Sequence, residues 1–410
     1  MGKVADVMRI YFDVSVTFRN GLNTGIQRVV RSLASEDLQN ELSLVIGDSK
    51  NPHIFRTIEH TDFLKPRDTT ASTPKRILAK ALVLLRKARL ILPIINSFQL
   101  TISIKEWIQL KISPEYRLDK LIEKQDALEI QTSDVYVTFD AFWNSQRDVL
   151  RIFSAKQQHA KIAIFVHDIL PITHPDLFER MNIRNFNNYF SQGIELADLL
   201  IFSSLHVLHS FEENFPNNTA QKRMIPLGSN AVSSISPTSE RNKTADILMV
   251  GTLEPRKNYL EILEWFENTS IQNRLIIVGR SGWKSLKVRR KIHKLRRDGK
   301  KILWIQNVND YELASLMDEA AIGICASIEE GFGLPLREFL ANGMHVVASD
   351  IEVFREVVSS GVEYYRIGNH NSLESAILGA LERCNDPFTL RKYTWADTYS
   401  AFFSSLQEIL

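Results

Sequence analysis

Between residues 329 and 338 the chain reads EEGFGLPLRE, two glycines and a proline among apolar residues with glutamates at either end. Glu330 and Glu338 stand eight apart, but Gly331, Gly333 and Pro335 disfavour one continuous helix between them. The spacing instead predicts a loop at Glu330 and Gly331, then a helix that takes Pro335 in its first turn and carries Glu338. Backbone amides of Gly331, Phe332, Gly333 and Leu334 would gather at that helix N-terminus, where unpaired N–H groups favour an anion. A plain turn with two solvated glutamates has the same signature, so this stretch alone does not decide. A second stretch, VGTLEPRKN (250–258), leaves an apolar run through Gly251 and supplies Arg256 and Lys257. Paired cations at a strand end can neutralise a diphosphate and stabilise its departure, although such a pair taken singly is more often two solvated bases. VGRSGWK (278–284) adds Gly279 at a third glycine-bearing exit.

The elements that would position these residues recur along the chain. Short β-branched apolar runs are each followed by a helical period: MRIYFDVS (8–15), DVYVTFD (134–140), KIAIFVHD (161–168) and DLLIFSS (198–204) in the first half. The second half carries DILMVGT (246–252), RLIIVGR (274–280), KILWIQNV (301–308), AIGICAS (321–327) and HVVASD (345–350). Such runs predict buried parallel strands in βαβ units. At 410 residues two domains are expected. The Ser/Thr/Asn-rich stretch SNAVSSISPTSERNKTA (229–245) is the expected linker between them. The reading is an α/β protein with two doubly wound sheets facing a cleft, ligands collecting at the carboxyl ends of the strands.

Composition narrows the class. With 44% hydrophobic and 24% charged residues the chain is ordinary for a globular protein, and a net charge of +2 gives no general case for nucleic acid or membrane. Cys325 and Cys384 form no metal or disulfide pattern. The first residues lack a signal-peptide pattern and no run approaches a membrane span, so a cytoplasmic location is expected. Two local clusters qualify this. TPKRILAKALVLLRKARLILP (73–93) divides over 75–92 into an apolar and a basic face, and ten of the residues in 284–301 are Lys or Arg. Each reads equally as a solvated helix face. Together they suggest peripheral attachment to an anionic membrane, the cytoplasmic face of an inner membrane, at about 1 kcal/mol per basic residue near the surface. Sparse aromatics in both clusters argue against nucleic acid.

The ordered set VGTLEPRKN, IIVGRSGWK, YELASLMDEA, EEGFGLPLREFLANGMHVVASD and FREVV resembles glycosyltransferase family 4, retaining enzymes of GT-B architecture. In the first half, NTGIQRVVRSL (23–33), VHDILPITHPDLF (166–178), FSSLHVLHSF and MIPLGSN are similar to further family segments, and TWADTYSAFF (394–403) to a C-terminal helix that crosses back to the first domain. Only residues about 48–130 lack a counterpart. The resemblance implies an acceptor-binding Rossmann-like domain over 1–228, the linker at 229–245, a nucleotide-sugar domain over 246–390 and the returning helix over 391–410.

Roles follow from the same resemblance. Arg256 and Lys257 would bind the donor diphosphate, and Glu330 the transferred sugar, with the amides of Phe332, Gly333 and Leu334 assisting. Glu338 would hold the ribose, and His167 would lie beside the donor sugar. Gly25 would let the chain approach the phosphates, while Asp168 would cap the next helix or orient His167. No bound metal or other cofactor is implied. The chemistry would be front-face displacement with retention, a hexose passing from a nucleotide-diphosphate sugar to a glycan or lipid-linked acceptor in surface-polysaccharide (O-antigen) synthesis. GDP-mannose ranks first among donors, because VGTLEPRKN and the HDILP stretch are similar to bacterial mannosyltransferases. A sugar-nucleotide epimerase or hydrolase on the same fold, and a non-catalytic scaffold subunit, are the alternatives.

Overall fold

The computed structural model describes residues 8–20, 25–48, 51–64, 126–229, 246–388 and 393–409. The amphipathic segment 75–92 and the linker from residue 230 onward lie outside the described residues. Two compact units are present, Met1–Ala141 with Leu150–Lys161, and Phe142–Val149 with Ile162–Leu410.

In the first unit, β1 (Ile10–Asp13) pairs in parallel with β2 (Leu42–Gly47) and β5 (Val135–Thr138), with Ile10 opposite Leu42 and Val135. All four β1 residues are buried, as expected of a central strand covered on both faces. The short strands β3 (Phe55–Thr57) and, at the sheet edge, β4 (Ala127–Leu128) run antiparallel, a departure from the all-parallel expectation. At the carboxyl end of β1 the buried Asp13 accepts from Ser15 N at 2.8 Å, from Arg151 Nε at 3.1 Å and from the Tyr136 hydroxyl. Gly25 opens the helix Gly25–Glu36, with open space where a Cβ would stand.

The second unit contains all but the first residue of β6 (Lys161–Val166), together with β7 (Leu199–Phe202) and β8 (Gln221–Met224), parallel in that order. Its larger sheet is six-stranded and wholly parallel, comprising β9 (Ile247–Val250), β10 (Leu275–Val278), β11 (Ile302–Ile305), β12 (Ile322–Cys325), β13 (His345–Ser349) and β14 (Val362–Tyr365). The order is β11-β10-β9-β12-β13-β14, so the winding reverses between β9 and β12. Helices cover both faces. Tyr259–Asn268, Leu286–Arg297 and His370–Glu382 bury Trp265, Ile292 and Ile377 on one side. On the other, Asp310–Glu319, Leu334–Ala341 and Glu352–Val357 bury Met317, Phe339 and Phe354.

The last helix, Trp395–Gln407, starts with a capping box formed by Thr394 and Asp397. It packs over the segment after β8: Thr398 Oγ1 donates to Pro226 O at 3.0 Å, and Ser229 N donates to Tyr393 O at 3.1 Å. The helix Leu286–Arg297 turns Val288, Ile292 and Leu295 inward. Glu267 takes up Lys291 at 2.5 Å and Lys294 at 2.6 Å, while Arg289, Arg290 and Arg297 remain exposed. Among the described residues no helix is long and apolar enough to cross a membrane.

Candidate active site

A doubly wound sheet opens a crevice where its strand order reverses, because the loops on either side of that point diverge to opposite faces. Here the reversal lies between β9 and β12, and the loops that leave those two strands carry Arg256, Lys257 and Glu330. After β9, Gly251 (φ 146°) and a short turn at Pro255–Lys257 fold the chain back, and Asn258 closes the turn at φ 52°. Ile328 N then donates to Arg256 O at 2.8 Å and ties the two loops together.

Glu330 is the hub. Arg256 donates to one of its carboxylate oxygens and Lys257 to the other, while Ser327 Oγ donates to Oε1 at 2.7 Å. Arg256 also donates through Nη2 to Glu254 Oε1 at 2.8 Å. Ser327 is itself held where Ser349 Oγ donates to its carbonyl at 2.5 Å. Glu330 is only 6% exposed. Such burial pulls a carboxyl upward, but Arg256 and Lys257 outweigh it and hold Glu330 at about 2. The neighbouring acids move the other way. Burial raises Asp168 and Glu254 above the usual carboxylate range, with the Arg256 charge opposing both shifts.

The other sequence-singled residues fall as follows. The helix at Leu334–Ala341 begins as its spacing predicts, with Pro335 in the first turn and Gly333 (φ 87°) before it. Lys257, Cys325, Ser327 and Glu330 line one hollow with Gly333 and Pro335. Glu338 is buried one helical turn further on. Burial raises the Cys325 thiol; the Lys257 charge opposes the shift, and the charges of Glu330 and Glu338 add to it. Gly279 (φ 155°) sits directly on Gly251: a Cβ there would stand 1.9 Å from the Gly251 carbonyl oxygen. Phe332 is buried beside Gly331.

His167 and Asp168 leave β6 against the same loop. A Cβ on Gly331 would lie 2.1 Å from the His167 carbonyl oxygen, so only glycine allows this approach. Asp168 Oδ1 accepts from Leu170 N at 3.1 Å, just before the short helix Leu170–Thr173. Gly25 belongs to the first unit and Glu330 to the second.

Several participants escape a reading of the sequence. Ser327 and Glu254 are polar neighbours of the cations with no motif of their own. Ser203 and Ser204 both donate to the Gly331 carbonyl, at 3.3 and 2.9 Å. Ser204 also accepts from Val207 N at 3.2 Å, so its place at a strand-to-helix junction was the available signal. Trp283 Nε1 donates to Leu177 O at 2.8 Å and its ring stacks on Phe178.

Comparison with known proteins finds a family match over part of the chain and a fold match over nearly all of it. Residues 234–393 match the family described as glycosyl transferases group 1. The fold is GT-B: the chain aligns over 98% of its length with all of HepE from Anabaena, solved with UDP and glucose, at a TM-score of 0.60 and 14% identity. Sucrose-phosphate synthase from Thermosynechococcus elongatus gives a TM-score of 0.59, again at 14% identity, covering 98% of this chain and 99% of that one. By sequence, the chain is similar to the serotype-specific mannosyltransferase WbdA of Escherichia coli, 32% identical over 238 residues, which is 53% of this chain and 29% of WbdA. It is also similar to the O-antigen chain mannosyltransferase RfbU of Salmonella typhimurium, 28% identical over 218 residues, 52% of this chain and 59% of RfbU. These matches span less than two thirds of either relative.

Proposed function

We propose that this protein is a retaining glycosyltransferase that moves a hexose, mannose from GDP-mannose in the first instance, onto a glycan or lipid-linked acceptor in O-antigen-type polysaccharide synthesis. The observation that carries the reading is the meeting of Arg256, Lys257 and Glu330 at the strand-order reversal of a glycosyl transferases group 1 segment. The similarity to WbdA and RfbU supports mannose as the sugar.

The chemistry follows from the charges. A donor diphosphate would exchange with Glu330 as the partner of Arg256 and Lys257, leaving the Glu330 carboxylate to accept from sugar hydroxyls. Burial raises Asp168 and Glu254, which weakens their competition with the phosphates for the cations. In the transfer step the acceptor oxygen bonds to the anomeric carbon on the face from which the diphosphate leaves. The bond from anomeric carbon to phosphate oxygen breaks, and the acceptor proton passes to that departing oxygen. Arg256 and Lys257 stabilise the charge that develops there, and no protein-bound metal or separate general base enters the scheme. Glu338 would hold the ribose, His167 would lie beside the sugar, and Gly25 and Gly251 would leave room for phosphates, whereas Gly279 serves the packing of its loop on Gly251.

The test is transfer itself. Incubation with GDP-mannose and lipid-linked saccharide acceptors should yield a product one hexose heavier by mass spectrometry, with an α-linkage by NMR. Sugar release at full rate without acceptor would favour a hydrolase, and a β-linked product would contradict retention.

A further inference from the structure

We infer that His206, which lies outside the transfer chemistry, is a positioning residue that clamps the Glu330 loop and makes its hold depend on pH. The inference rests on the transferase reading for its consequence in catalysis, but the clamp itself stands on geometry.

His206 is the second residue of the helix Leu205–Asn214, which starts at the exit of β7. Its Nε2 lies 3.2 Å from Glu329 Oε1, and its Nδ1 lies 3.2 Å from Glu352 Oε2. A neutral imidazole carries one N–H and can donate to only one of these carboxylates, whereas the imidazolium donates to both. Glu329 Oε1 in turn accepts from the backbone amide of Glu330 at 3.1 Å. One chain of contacts therefore runs from the His206 ring through Glu329 to the residue that bridges Arg256 and Lys257.

The surroundings are built around this contact. Glu356, one turn beyond Glu352 on the helix Glu352–Val357, receives the backbone amides of Leu205 at 2.6 Å and His206 at 2.9 Å. A carboxylate at that place satisfies two of the otherwise unpaired N–H groups that begin a helix. Ser203 and Ser204, from the same junction, hold the Gly331 carbonyl. Three acids thus face His206: Glu329 from the loop, and Glu352 and Glu356 from the helix Glu352–Val357. That helix also carries Arg355, which is taken up by Asp350 at its start and by the face of Tyr364.

The hydrogen bond to Glu329 raises His206 above its ordinary 6.5, burial opposes it, and Glu352 adds to the rise. For a histidine raised on folding, the stabilisation is complete below pH 6.5 and is lost as pH climbs through the higher folded value. The Glu330 loop is therefore held most firmly below pH 6.5 and loosens as pH rises beyond it.

The test uses the full chain and begins without ligand. Amide hydrogen exchange over residues 328–333, expressed as protection factors at several pH values, should show protection falling as pH rises. In His206→Ala and in Glu329→Gln it should be low throughout, and in His206→Arg, charged at every pH, it should stay high into alkali. Protection that is independent of pH in the wild type, or that moves no more in these variants than in the rest of the sheet, overturns the inference. With GDP-mannose and UDP-glucose as probes, His206→Ala should raise the Kd of whichever binds the wild type by about fivefold, at the lower end of coupling between separate sites. That effect should vanish in alkali, where the wild type has lost its clamp too; an unchanged Kd at pH 6 contradicts the role in donor binding. If exchange behaves as expected but neither probe binds the wild type, the clamp holds and the transferase reading fails. If a probe binds well and exchange is indifferent to His206, the reverse is true.

Discussion

Glu330 bridges two cations that the proposed reaction also needs, so its charge has separable effects on stability and on catalysis. A carboxyl held at about 2 against an ordinary 4.5 contributes stability above the ordinary value, and that contribution is lost as pH falls through about 2. The difference in melting temperature between wild type and Glu330→Gln should therefore stay constant above pH 5 and shrink progressively towards pH 2 in a series of thermal melts. A difference independent of pH would mean that the ion pairs with Arg256 and Lys257 add nothing to the fold. In turnover, Glu330→Gln and Lys257→Ala should each lose about a hundredfold or more in kcat, the usual cost of removing one preorganised charge contact in a transition state. At this scale the sequence was informative about identity and uninformative about pairing. EEGFGLPLRE and VGTLEPRKN point to Glu330, Arg256 and Lys257 because the two stretches occur together, in order, in a set that resembles a known family; either one alone is matched by an ordinary turn. That these three residues bond to one another, with Ser327 joining, depends on two loops seventy-odd positions apart, and no local pattern encodes that.

Elements set the reach of those side chains. The tightest junction is where Gly331 meets the backbone of His167, with Ser203 and Ser204 holding the Gly331 carbonyl from the next strand. Gly331→Ala forces a methyl into a carbonyl oxygen and should cost about 1–3 kcal/mol, as overpacking does, and donor Kd should rise with it. Ser204→Ala removes a helix cap and a bond to the loop at once, for a loss of about 1 kcal/mol; urea titrations measure both. A Gly331→Ala variant as stable as the wild type would show that the loop does not rest on β6. The apolar runs that predict strands all form them, since a strand buried on both faces must be apolar throughout. The edge strands β8 and β14, QKRM and VEYY, escape that reading because their outward residues meet solvent and carry no continuous apolar signal. The antiparallel β3 and β4 are shorter still, and their pairing is decided by neighbours distant in sequence.

For the molecule as a whole, the family match covers the segment that carries the cations and both glutamates, and the structural likeness extends over nearly all of the chain. The helix Leu286–Arg297 adds a surface property. Glu267 neutralises two of its lysines, and Arg289, Arg290 and Arg297 are left outward. If this face attaches the protein to anionic lipid, the protein should sediment with vesicles containing phosphatidylglycerol and not with phosphatidylcholine alone. Binding should be lost near about 0.5 M salt, where charges are screened within a few ångströms, and in the triple Glu variant of those arginines. Equal binding to both vesicles would refute the electrostatic attachment. The central claim, that Arg256, Lys257 and Glu330 form the grip for a sugar diphosphate, is tested most directly by a thermal-shift panel of nucleotides and nucleotide sugars on the wild type and on Lys257→Ala. At hundredfold excess over Kd one sugar nucleotide should raise the wild-type melting temperature by about 5 °C or more, and the shift should disappear in Lys257→Ala. A panel in which no nucleotide stabilises the wild type, or in which Lys257→Ala responds equally, would contradict it.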